Sequence, residues 1–115
     1  MGVFVYDESR AIHVDDRVLA HLQIVIIDKL RRREAFALNL RSDGAVVTMW
    51  LTSFSALQFI YEGNRQPRIN WPWVELLAGE ASLRGTLEVL PEPVEVLSEV
   101  IAPVAQPMAE AELVN

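Results

Sequence analysis

Apolar residues follow two different rhythms along this chain. From Asp15 to Arg33, DDRVLAHLQIVIIDKLRRR, they recur every three or four positions; elsewhere in the first half they alternate with polar residues. Turned through about 100° per residue, Val18, Leu19, Leu22, Val25, Ile26 and Leu30 form one broad apolar face, with Arg17, His21, Asp28 and Arg32 opposite. This predicts a long helix over 16–33. Asp15 or Asp16 caps it, and the arginines 31–33 complement the negative end of its dipole. Ile24 and Ile27 fall outside the main face, roughly opposite its centre, where a single covering sheet leaves them unburied.

The alternating stretches predict strands. GVFVY at 2–6 and AIHV at 11–14 read as a hairpin across the turn at 7–10. AFALNLR at 35–41 and AVVTMWLT at 45–52 flank Asp43-Gly44, a strong hairpin signal, and a further strand is expected over 56–61. The last three are expected to form an antiparallel meander covered by the helix. Asn70-Trp71-Pro72 opens a shorter helix over 71–82, with Pro in its first turn and Gly79 or Gly85 near its end. TLEVL at 86–90 supplies a short last strand before Pro91 and Pro93. The expected fold is therefore α+β: an antiparallel sheet, made of an N-terminal hairpin, a meander and a short last strand, packed against two helices. Residues 1–91 form one domain, and 92–115 form an acidic, proline-interrupted tail that is partly docked or disordered.

Composition narrows the class. At 115 residues the chain holds one core, and an apolar content of 51% argues against global disorder. With no cysteine there is no disulfide scaffold, thiol nucleophile or thiolate metal site, which fits a reducing cytoplasm. The opening MGVFVYDESR has no basic region or cleavage site of a signal peptide, and Tyr6 stands where a myristoylation signal needs Ser or Thr. No apolar run is long enough to span a membrane. The net charge of −6 is uneven: all ten Lys and Arg lie within residues 1–91, against eleven Asp and Glu, and the remaining five carboxylates are Glu92, Glu95, Glu99, Glu110 and Glu112.

Candidate chemistry is sparse. His21 is expected on the polar side of the helix and His13 in a strand, in a structural or exposed role, with no second ligand at metal spacing. Asp15-Asp16 reads as a helix cap rather than an acid–base pair. Ser53 and Ser55 have no nucleophile elbow around them, and no glycine-rich phosphate loop is present. The only lysine, Lys29, lies inside the helix. No cofactor, metal or catalytic residue is expected. Interaction has better candidates. Ile24, Ile27 and Trp50 are expected to form an interface, with a second copy as the leading partner. The alternative is nucleic-acid contact through Arg31, Arg32, Arg33, Arg65 and Arg68, beside Trp71 and Trp73.

The residues Met1-Gly2-x-x-x-Tyr6, Asp15-Asp16-Arg17-x-Leu19-Ala20-His21-Leu22, Lys29-Leu30-Arg31-Arg32, Glu34-x-Phe36 and Trp50-Leu51 make a recognisable pattern. Over about residues 1–91 the chain resembles a family of small uncharacterised actinobacterial proteins. Its members often carry an automatic label as ATP-dependent DNA ligases. The lysine motif of a ligase is missing, so the resemblance implies at most an association with nucleic-acid metabolism and assigns no catalytic role. The expectation is a non-enzymatic cytoplasmic interaction or accessory domain, self-associating, with nucleic-acid contact as the alternative.

Overall fold

A computed structural model of the chain describes residues 1–94. It is α+β, with six strands and two helices in the order β1 (Gly2–Tyr6), β2 (Arg10–Val14), α1 (Asp16–Arg31), β3 (Phe36–Ser42), β4 (Ala45–Leu51), β5 (Leu57–Ile60), α2 (Trp71–Arg84) and β6 (Thr86–Glu88). The N-terminal hairpin, the long helix and the shorter helix all form. Most of the expected tail lies outside the described residues.

The strand pairing differs from a meander. There are two three-stranded sheets, ordered β2-β1-β5 and β4-β3-β6. β5 leaves β4 and pairs antiparallel with β1, from Val3 opposite Ile60 to Tyr6 opposite Leu57. Two features favour that choice. Phe59 lies opposite Phe4, their ring centroids 5.4 Å apart. Asp7 also latches Ala56, donating its N–H to the Ala56 carbonyl at 2.7 Å and accepting the Ala56 N–H on Oδ1 at 3.1 Å. In the second sheet β6 runs parallel to β3, so the sheet is mixed rather than antiparallel. α2 is the crossover that a parallel neighbour requires.

The β3–β4 turn follows its sequence signal: Asp43 and Gly44 both have positive φ, 52° and 79°, as a two-residue primed turn demands. Asp15 caps α1, its carboxylate accepting the Arg17 N–H at 3.1 Å. The helix ends two residues earlier than expected because Arg33 turns left-handed, φ 61°. α2 passes through Gly79 and stops at Gly85, φ 76°, whose N–H reaches the Ala81 carbonyl.

One core joins both sheets and both helices. Phe4, Ile12, Leu19, Leu22, Ile26 and Phe36 are buried in it, as are Leu38, Leu51, Trp73, Leu77 and Leu87. Burying each large aliphatic or aromatic side chain contributes roughly 1.5–3 kcal/mol. Gly2 is needed for a close approach of β1 to the start of α1. A Cβ there would lie 2.7 Å from Asp16 Oδ1 and 2.8 Å from both the Ile60 carbonyl and Leu19 Cδ2.

Candidate interaction groove and the clamp beside it

The two isoleucines outside the main face of α1 line a groove. It lies between α1, the connection 61–70 and α2, and encloses about 760 Å³. Ile24, Ile27, Ile69, Trp71, Val74 and Ala78 provide apolar lining. Arg31 and Arg65 line it as well, along with Asp28, whose carboxylate is paired with Arg32 at 2.7 Å. The volume falls within the range of roughly 300–1,000 Å³ usual for ligand sites. Ile24 is half-buried and packed on the core, whereas Ile27 is 39% exposed. Hydrogen bonds from the start of the connection to α1 hold the groove wall. The Tyr61 hydroxyl donates to Gln23 Oε1, and the Gly63 N–H donates to Asp16 Oδ2 at 3.0 Å. Burial, with the Asp16 charge adding to it, pushes the Tyr61 phenol up to about 12.

Trp50 does not belong to this groove. It projects from β4, the end strand of its sheet, where it is 58% exposed and its carbonyl accepts from the Tyr6 hydroxyl at 2.9 Å. The five arginines are also divided. Only Arg31 and Arg65 line the groove; Arg32 is paired with Asp28 and with Glu34, the latter at 3.0 Å, and Arg33 is exposed beyond the helix end. The Arg68 carbonyl accepts from Arg17 Nη1 at 2.7 Å. Trp73 is buried, while Trp71 is 57% exposed at the groove.

His21 is a correction to the sequence reading. It is fully buried, because α2 and the residues leading into it cover the side of α1 expected to be polar. Its Nε2 accepts the Asn70 N–H at 2.8 Å, which requires that nitrogen to be unprotonated. Nδ1 then carries the proton and donates to the Arg17 carbonyl at 2.7 Å. The ring also packs on Trp73, centroids 4.5 Å apart. Both nitrogens are committed, so His21 acts as a structural linchpin between α1 and α2.

A clamp is built around this histidine. Asn70 caps α2, accepting the Trp73 N–H on Oδ1, and its Nδ2 donates to Glu92 Oε2 at 2.9 Å and to the Pro93 carbonyl at 3.0 Å. Arg17 grips the same carboxylate through both Nε, at 2.9 Å, and Nη2. Trp73 Nε1 donates to the Leu90 carbonyl at 3.0 Å. Hydrogen bonds from Arg17 and Asn70 hold the Glu92 carboxyl down to about 2. The segment after β6 is thereby tied to the first turns of both helices, next to Ile69 and Trp71 of the groove.

Lys29 is buried at the other end of α1. Nζ meets Ser82 Oγ at 3.1 Å and Glu34 Oε1 at 3.3 Å, and lies 5.7 Å from the Phe36 ring centroid. The roles of His21, Lys29 and Glu92, and the bonds by which Asn70 reaches beyond its cap to Glu92 and Pro93, were not legible in the sequence. Lys29 sits in the middle of the apolar arc of α1, the one available sign that it is covered. Nothing in the sequence near Glu92 pointed to Arg17. Among the described residues, no group of three or more His, Asp or Glu side chains is placed to hold a metal ion, and no helix is long and apolar enough to cross a membrane.

The fold and groove define a small α+β domain with a concave apolar surface rimmed by arginine. The chain belongs to the family described as Domain of unknown function (DUF7882), which it matches over residues 1–92. Neither a curated protein nor a solved structure matches it. The family match ends at Glu92, the carboxylate held by the clamp.

Proposed function

We propose that this domain is a non-enzymatic protein-interaction module that holds an apolar, acid-flanked segment in the groove of α1. The observation that carries this reading is the placement of Ile24 and Ile27 with Val74 and Ala78 in one groove, with Arg31 and Arg65 alongside. An amphipathic helix laid in such a groove buries its apolar face, and its carboxylates meet the guanidinium groups. Selection of displayed random peptides on the full chain tests it. Enriched peptides are expected to carry aliphatic residues at helical spacing next to Asp or Glu, and to lose binding to Ile27→Asp and to Arg65→Glu. Enriched peptides that bind those variants as well as the parent would contradict the reading.

For self-association we propose a separate surface. β4 is an end strand whose outward Val46 and Trp50 are both more than half exposed, and Phe54 in the following turn is 96% exposed. Open strand edges bearing apolar side chains pair readily with a second copy. Light scattering is expected to show a dimer that Trp50→Lys dissociates. A monomer at high micromolar concentration would remove self-association while leaving the groove reading intact.

Nucleic-acid contact is the second reading, favoured by the presence of Arg31, Arg65 and the exposed Trp71 in the same groove. Bases stack on exposed aromatic rings, and phosphates pair with arginine. Fluorescence anisotropy of a labelled single-stranded oligonucleotide is then expected to show binding that weakens steeply with salt and is abolished by Arg31→Glu with Arg65→Glu. No binding at low salt would exclude it.

A further inference from the structure

We propose that the groove is occupied, within the same molecule, by the chain's own next segment, residues 94–101; this rests on reading the groove as a peptide site. The first support is position. The clamp holds the chain through Glu92 and Pro93 by way of Asn70, which lies between the groove residues Ile69 and Trp71. The segment therefore starts at the groove's own end. A tethered segment with so short a connection has an effective concentration on the order of millimolar, which a second copy or a free peptide must exceed to displace it.

The second support is pattern. Placed on a helical wheel, Val94, Val96, Leu97, Val100 and Ile101 fall on one side, and Glu95, Ser98 and Glu99 fall on the other. As a helix, eight residues would span about 12 Å, and the stretch of α1 from Ala20 to Arg31 that lines the groove spans about 18 Å at the same rise per residue. The segment is short enough to fit within the groove.

The third support is charge. Residues 95–115 contain four glutamates and no lysine or arginine. The groove presents Arg31 and Arg65, and its one lining carboxylate, Asp28, is already engaged by Arg32. Glu95 and Glu99 are four residues apart and share the polar side of the wheel, so both reach the groove's margin when the aliphatic side faces Ile24 and Ile27. A partner that uses the groove must then displace this segment. The domain thereby sets its own binding threshold.

The chain contains no cysteine, so Ser98→Cys gives a single site for a nitroxide label in the otherwise intact full chain. Amide resonances of Ile27, Arg31, Arg65 and Ala78 are expected to lose most of their intensity in the oxidised, labelled sample, and those of Thr48 and Trp50 to keep theirs. Leu97→Asp with Ile101→Asp, added to the labelled chain, is expected to restore the groove signals without changing the remaining spectrum. Loss of intensity appearing only when labelled, unenriched chain is mixed with unlabelled, isotope-enriched chain would place the segment in a second copy and overturn the proposal. Unaffected groove signals would also overturn it. In that case, adding a free peptide of residues 94–107 separates the two ideas: shifts in the groove sink only occupancy by the chain's own segment, and no shifts sink the groove reading as well.

Discussion

The imidazole Nε2 of His21 accepts the backbone N–H of Asn70 at 2.8 Å, and that bond ties α1 directly to the N-cap of α2. The bond is wholly buried. His21→Leu keeps most of the volume and leaves the Asn70 N–H without an acceptor, a loss of about 1–3 kcal/mol. Urea denaturation is expected to show a lower midpoint with an unchanged slope. A midpoint equal to that of the parent would mean that another acceptor replaces the ring.

Glu92 makes stability depend on acid. Its carboxyl is held at about 2 in the folded protein, against an ordinary value of 4.5, by Arg17 and Asn70. The resulting stabilisation is fully present above the ordinary value and is lost as the pH falls from about 4.5 towards 2. Glu92→Gln is expected to reduce stability at neutral pH and to flatten this part of the pH profile. A profile as steep as the parent's would assign the acid sensitivity to other carboxylates.

At the alkaline end Tyr61 gives the opposite sign. Its phenol ionises near 12 in the fold and near 10 when exposed, so its contribution is intact below 10 and is lost as the pH rises towards 12. Tyr61→Phe removes that slope and also the hydrogen bond to Gln23, costing about 0.5–1.5 kcal/mol at neutral pH. Thermal melts of the two proteins at pH 7 and pH 11 measure both effects.

Gly2 is required by packing. Its missing Cβ would collide with the Ile60 carbonyl, which is part of the β1–β5 pairing and has no rotamer to retreat to. Gly2→Ala is expected to cost about 1–3 kcal/mol, the usual range for overpacking. A melting temperature within error of the parent would show that β1 shifts freely at that point.

Local signals were legible in the sequence and long-range ones were not. The caps at Asp15 and Asn70, the Asp43-Gly44 turn and the apolar arc of α1 each depend on neighbours within a few residues. The placement of β5 beside β1 depends on Phe59 meeting Phe4 and on Asp7 latching Ala56, contacts that periodicity does not encode. The same limit applies to the site. Ile24 and Ile27 announced a second apolar strip, but only the fold shows Val74 and Ala78 facing it. His21 looked polar because its side of α1 carries charges. The fold covers that side with Asn70 and Trp73, which come about fifty residues later.

The most direct test of the groove is an amide-shift titration of the isotope-labelled full chain carrying Leu97→Asp and Ile101→Asp, with a synthetic amphipathic peptide bearing aliphatic residues on one helical face and glutamates on the other. Saturable shifts confined to Ile24, Ile27, Arg31, Arg65, Trp71 and Ala78 are the expected result, with at least a tenfold loss of affinity, about 1.4 kcal/mol, on adding Ile27→Asp. Shifts that map to β4, or none at millimolar peptide, would contradict a binding site on the back of α1.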